Sequence, residues 1–262
     1  MTNSFRIGKM DIISISENER RKFMKFLSEY LGSLVFLLGG YAYMSNISLK
    51  KTLVSSLNYV ELVIAWGLAV GLGLATAVTM GGPAYLNPGA VLGNIIWNNL
   101  AVTDAVLYLL MEFLAAGTAV LICMIFFWDS FKASGDMPKR GIFSAYPVEK
   151  NIPLNFIQEV LATFLFLFLV LLCITYSGGN ALIIGAVGFA AVALLALSLN
   201  STGFSMNAMR SVFSSIWFAI LPIPNKKGES VDWSYQLIVN LVGSSIGGIL
   251  AVITVACIQG CL

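Results

Sequence analysis

Asn87 and Asn207 each stand at the head of a short apolar stretch, 87–97 and 207–220, and Arg210 follows three residues after the second. An asparagine at a helix start does two things at once. Its side-chain oxygen accepts from an unpaired N–H of the first turn, while its amide NH2 can still donate elsewhere. The helix end beside it carries about half a positive charge. Two such ends meeting, with two amide donors between them, would suit a neutral solute bearing oxygen atoms and would oppose cations, protons included. Arg210 is the only basic residue between positions 181 and 220, and a guanidinium in such surroundings is costly unless it faces water or a partner. Glu29 and Glu159 sit in similarly apolar stretches, where a carboxylate either relays protons or accepts hydrogen bonds. Taken alone, Asn87-Pro88 is an ordinary helix start. The matched placement of two asparagines is what points to a shared site.

Groups of this kind must be held at depth, and composition says in what medium. The chain has 262 residues, 58% of them hydrophobic and 11% charged, far outside the norm for a domain solvated by water. Its apolar residues form blocks near the ~20 residues a helix needs to cross a bilayer. The blocks predict an all-α membrane protein with six transmembrane helices, at 26–44, 59–80, 104–128, 154–175, 181–200 and 233–258. The two asparagine-headed stretches are too short to cross and too apolar for exposed loops, so they are expected as re-entrant half-helices. Irregular backbone at that depth is tolerated only where protein buries it or a wet cavity runs alongside.

The chain also repeats. Glu29 opens Glu-Tyr-Leu-Gly-Ser-Leu-Val-Phe-Leu and Glu159 opens Glu-Val-Leu-Ala-Thr-Phe-Leu-Phe-Leu. In each copy a second span, a half-span and a third span follow. The expected organisation is a cytoplasmic N-terminal tail over 1–25, a first repeat over 26–128, a polar connecting loop over 129–153 and a second repeat over 154–262. Three spans is an odd number, so the second copy enters from the opposite face and the repeat is inverted. Gly32, Gly39, Gly40, Gly67, Gly71, Gly73, Gly117, Gly243 and Gly247 are expected at close helix contacts, with Gly243 and Gly247 at small-xxx-small spacing.

Charge and cysteine usage exclude other classes. A net charge of +2 is too small to imply a nucleic-acid partner. The cluster Arg20, Arg21, Lys22 and Lys25 abuts the first span and reads as a cytoplasmic anchor. Lysines and arginines on the opposite face contradict a simple positive-inside count, so orientation rests on the first helix, which places both termini in the cytoplasm of a plasma-membrane protein. The four cysteines, Cys123, Cys173, Cys257 and Cys261, show no metal-ligand spacing and there is no histidine. No metal or other cofactor is expected, and the scarcity of intramembrane acids argues against an enzyme.

The residues resemble the aquaporin and glycerol-facilitator family of major intrinsic proteins. Gly-Pro-Ala-Tyr-Leu-Asn87-Pro88-Gly89-Ala-Val is similar to the family's Gly-Ala-His-Leu-Asn-Pro-Ala-Val, and Thr-Gly-Phe-Ser-Met-Asn207-Ala208-Met209-Arg210-Ser to its Thr-Gly-x-x-Met-Asn-Pro-Ala-Arg-Ser. The resemblance implies that Glu29 and Glu159 support the re-entrant loops and that four chains assemble as a homotetramer. Gly89, Tyr85, Ala208, Met209 and Glu112 depart from the family pattern. Losing proline at 208 should loosen the start of that half-helix without removing the site.

In this family a four-residue constriction sets selectivity. Counted from Asn207, it falls on Leu195, Phe204 and Arg210. The fourth member is Trp66 with one residue inserted before Asn87, or Gly67 without. Two aromatic walls opposite a guanidinium resemble the glycerol-conducting branch. Ser211, Ser215 and the bulk of Leu195 speak against that branch. The favoured reading is a passive channel for glycerol together with water, the alternative a water-selective aquaporin. A proton-coupled small-solute transporter using Glu29, Glu112 and Glu159 is the third reading.

Overall fold

The structure is a computed structural model that describes residues 16–54, 58–98, 100–199, 201–226 and 228–261. Six apolar helices are long enough to cross a membrane, and two shorter ones are not. In chain order they are α1 (Glu17–Ser48), α2 (Tyr59–Thr79), the half-helix α3 (Pro88–Trp97) and α4 (Val102–Phe126). The connecting segment holds α5 (Trp128–Ala133) and α6 (Arg140–Phe143), and then come α7 (Ile152–Tyr176) and α8 (Ala181–Ser198). The second half-helix is α9 (Met209–Ile220), and the last span is α10 (Trp233–Gly260).

The first helix starts earlier than hydropathy placed it. Ser16 and Glu19 form a reciprocal capping box, Ser16 Oγ accepting from Glu19 N and Glu19 Oε2 accepting from Ser16 N at 3.0 Å, and this fixes the helix start in polar sequence. Residues 17–25 are therefore helical. Positions 1–15 lie outside the described residues.

Packing follows the two-copy plan. α1 packs on α2 and α4, and α7 packs on α8 and α10. Each half-helix also lies against the third span of the other copy, α3 on α10 and α9 on α4. Small residues allow this closeness. A Cβ on Gly71 of α2 would stand 2.5 Å from the Gly185 carbonyl of α8, and one on Gly185 2.8 Å from the Gly71 carbonyl. Gly247 is tight in the same way, 2.4 Å from the Val160 carbonyl, whereas a Cβ on Gly243 would meet only ordinary contacts.

Outward, large apolar side chains such as Leu68, Leu72, Ile125, Leu161 and Leu194 are exposed. This is the surface of an integral membrane protein, for which lipid is the solvent. Most charges of the connecting segment are exposed, with one clear exception. Lys139 is fully buried, its Nζ donating to the carbonyls of Gly135 and Met137 at 2.6 Å and of Asn225 at 3.0 Å.

Candidate functional site

The two half-helices meet head to head. Asn87 Oδ1 accepts from Gly89 N at 2.9 Å, and Asn207 Oδ1 accepts from Met209 N at 2.9 Å. Their amide groups then cross between the copies. Asn87 Nδ2 donates to the Met206 carbonyl at 2.8 Å, and Asn207 Nδ2 donates to the Leu86 carbonyl at 2.6 Å. Each asparagine thus caps its own helix and ties down the residue preceding its counterpart.

The loops feeding these caps are strained in matching places. Ala84 and Leu86 have φ of 55° and 43°, and Phe204 and Met206 have φ of 56° and 46°. These positions stand three and one residue before each asparagine. Non-glycine residues there cost about 1–3 kcal/mol each, so something must hold the conformation. Glu29 Oε2 and Oε1 accept from Tyr85 N at 3.2 Å and Leu86 N at 2.5 Å. Glu159 Oε1 accepts from Met206 N at 2.5 Å, and its Oε2 from Thr202 Oγ1 at 3.2 Å. Both acids are fully buried. Hydrogen bonds from these N–H groups to the carboxyl oxygens offset such strain.

Above the asparagines lies a cavity of about 280 Å³. Asn207, Trp66, Phe204 and Arg210 line it, together with Gly141, Ser144, Ala145 and Tyr146 of the connecting segment. Arg210 is 8% exposed, its guanidinium carbon 4.5 Å from the Trp66 ring centroid. Its Nη1 has no hydrogen-bond partner among the described residues. Of the two candidates on α2, Trp66 reaches this cavity. Gly67 faces α8 instead, where a Cβ would stand 2.7 Å from the Phe189 ring.

Leu195 does not join the site. It is buried in the core, and Val192 and Ala196 of the same helix line the cavity. A one-residue offset turns a side chain by about 100° around a helix axis, and counting back from Asn207 across a loop cannot control such an offset. The bulk of Leu195 consequently says nothing about the width of the passage.

Residues 17–255 match the Major intrinsic protein family. The glycerol uptake facilitator protein 2 of Lactiplantibacillus plantarum is 32% identical over 231 residues, covering 86% of this chain and 95% of that protein. A glycerol uptake facilitator protein of Streptococcus pneumoniae is 32% identical over 238 residues, 87% of this chain and 97% of that one. Among solved structures, the aquaglyceroporin from Plasmodium falciparum superposes with a TM-score of 0.72 at 18% identity, over 88% of this chain and 94% of that one. The chain belongs to the Major intrinsic protein family.

The departures from the Major intrinsic protein pattern have local physical reasons. A Cβ on Gly89 would stand 2.8 Å from the Ser244 carbonyl and 3.1 Å from Gly248 Cα, so glycine is what lets α3 sit this close to α10. With Ala208 and Met209 in place of the usual pair, α9 opens with a wider π turn over Met209–Phe213. Ser214 N donates to the Met209 carbonyl instead of reaching Arg210, as an α-helix would require. The Arg210 carbonyl accepts from Tyr41 Oη at 2.6 Å.

Sequence reasoning missed Tyr41, and of the connecting segment, expected as a solvated vestibule loop, it missed which residues line the cavity. Ser211 Oγ accepts from Ala145 N at 3.3 Å, Ser144 Oγ donates to the Ser211 carbonyl at 3.3 Å, and Gln236 and Asn240 both donate to the Ala145 carbonyl at 3.2 Å. Where the segment meets α10, Lys150 donates to Asp232. That bond is the main cause holding the Asp232 carboxyl below the ordinary carboxylate range. Burial pushes the Tyr146 phenol up. Only a glycine with positive φ at position 203 could have hinted at this contact. Gly203 has φ +79°, and a Cβ there would meet the Tyr146 carbonyl at 2.1 Å.

Proposed function

We propose that this chain is a passive channel for small neutral solutes, conducting glycerol together with water. The observation that carries the reading is the side-chain ring on the cavity: Trp66 and Phe204 offer apolar faces, and the Arg210 guanidinium lies beside them. Carbon-bound hydrogens of a polyol fit the rings while its hydroxyls bond the guanidinium. The relatives named as glycerol uptake facilitators support the same solute. In this reading Trp66, Phe204 and Arg210 form the selectivity constriction, with Ala196, one residue beyond the expected Leu195, beside them. The boxes Asn87-Pro88-Gly89 and Asn207-Ala208-Met209 form the central pore motif, and Glu29 and Glu159 are structural supports. The channel works as a homotetramer in the plasma membrane with both termini cytoplasmic.

A water-selective reading has one observation in its favour. Past Asn207 the passage beside Tyr85 and Leu86 holds only about 10 Å³, close to the room one water needs. Osmotic shrink-swell of proteoliposomes under water and glycerol gradients separates the two. Water alone crossing faster than through empty liposomes supports the narrow reading, and neither crossing overturns the channel. Arg210→Ala should broaden solute passage and admit charged species. Asn207→Asp should cut conductance, because it removes the donor to the Leu86 carbonyl and leaves two oxygens facing each other.

A further inference from the structure

We infer that Gly40, which does not line the cavity, sets the position of the Trp66 wall and with it the size of solute the constriction admits. A Cβ added at Gly40 would stand 2.1, 2.3 and 2.4 Å from Cζ3, Cη2 and Cε3 of Trp66. Carbon atoms in contact prefer about 3.5–4.0 Å. The six-membered ring of the indole therefore lies flush on the α1 backbone, in a recess that exists because position 40 has no side chain.

The surroundings decide where the ring would go if the recess were filled. Phe36 and Tyr41 of α1 flank Trp66 edge-on, with ring centroids at 6.0 and 5.9 Å. Tyr41 is itself fixed by its hydroxyl, which bonds the Arg210 carbonyl at 2.6 Å and Ser214 Oγ at 2.5 Å, and by Phe143 against its ring. The remaining side is the cavity, where the Arg210 guanidinium lies over the indole. A methyl group at position 40 therefore presses the ring against the stacked Arg210 guanidinium, pushes the pair into the cavity and narrows the space left there for a polyol. Water, being smaller, is hindered less. Gly40 is thus a positioning residue for selectivity, acting only through Trp66.

The inference rests on the channel reading above, and one assay tests both. Glycerol and water permeability are measured per reconstituted protein for the unsubstituted chain, Gly40→Ala, Trp66→Leu and the double variant. Gly40→Ala should lower glycerol permeability at least tenfold relative to water. In the Trp66→Leu background, with no ring to displace, the same change should leave the glycerol-to-water ratio as it was, a non-additivity that direct coupling requires. An unchanged ratio in Gly40→Ala, an equal loss of both permeabilities, or the same loss with Trp66→Leu overturns the proposal while the channel reading stands. If the unsubstituted chain passes neither solute, both fail. Should Gly40→Ala not reconstitute, Trp66→Phe with and without Gly40→Ala carries the comparison: the atoms that Gly40 accommodates are gone in the shorter ring, so the pair should show equal ratios. A loss of the glycerol-to-water ratio in that pair overturns the proposal too.

Discussion

Glu29 and Glu159 give their oxygens to backbone N–H groups of the loops that precede the half-helices, and Glu112 is a further buried acid near the first of those loops. It is fully buried in α4, with the Glu29 carboxyl and the Asn87 N–H close to it, although neither of its oxygens makes a well-formed hydrogen bond among the described residues. Two adjacent buried carboxyls repel when both ionise, and an unpaired buried charge costs several kcal/mol. Glu112→Gln removes that liability at nearly the same volume. The expected outcome is unchanged glycerol passage with a higher unfolding temperature in detergent, by the equivalent of about 1–2 kcal/mol. A proton-relaying transporter would instead lose solute uptake in the same variant, so the measurement separates the two mechanisms. At this scale much was legible. Asn87, Asn207, Glu29 and Glu159 could be found because a polar residue in an apolar run needs a reason. Trp66 and Leu195 could not be settled, because a residue that is apolar either way gives no sign of whether it faces lumen or core.

Among the elements, the spans were readable from hydropathy and the half-helices from their length, since a bilayer fixes the length of what crosses it. The start of α1 was not, because its cap lies in polar sequence outside the apolar run. The connecting segment escaped for another reason. Its lysines look alike one by one, and only tertiary partners such as the Asn225 carbonyl single out Lys139 for burial while Lys132 and Lys150 stay exposed. Gly89 shows how packing overrides a family pattern. Alanine is the usual residue there in the resemblance, yet here a Cβ would press on backbone atoms of Ser244 and Gly248, which cannot swing aside as a side chain would. Gly89→Ala should therefore destabilise the protein by about 1–3 kcal/mol, as overpacking does. Thermal unfolding of the detergent-solubilised protein would show it as a lower midpoint. A companion change at Gly248 would worsen it, because a Cβ there stands 2.6 Å from Gly89 Cα. An unchanged or raised midpoint for Gly89→Ala would mean that α3 and α10 can separate more freely than their geometry implies.

For the molecule as a whole, the passage has unequal ends. α1 runs from one mouth to the other: Asn18 and Lys22, near its start, line a pocket of about 560 Å³, while Met44, near its end, lines the cavity of about 280 Å³. Between the asparagines and the first mouth the space shrinks to about 10 Å³. Tyr85 lines both this neck and the wide pocket beyond it, and its ring is braced edge-on by Tyr108 at 5.0 Å. Segments of a pore act as resistances in series, so the narrowest one governs the flow of a solute that fits everywhere else. In the proposed reading the Trp66 and Arg210 constriction chooses among solutes, while the Tyr85 neck, which has to widen beyond the room of one water to pass glycerol, limits the rate for those that are admitted. Tyr85→Ala keeps the backbone N–H that bonds Glu29 and forfeits a ring contact worth about 0.5–1.5 kcal/mol, so the fold should survive. Glycerol and water permeability should both rise severalfold, with their ratio nearly unchanged because the selective ring is untouched. If neither rate changes, the neck opens on its own during conduction and the resistance lies at Arg210. If the ratio shifts instead, Tyr85 takes part in selection, and the division of labour between the two ends is wrong.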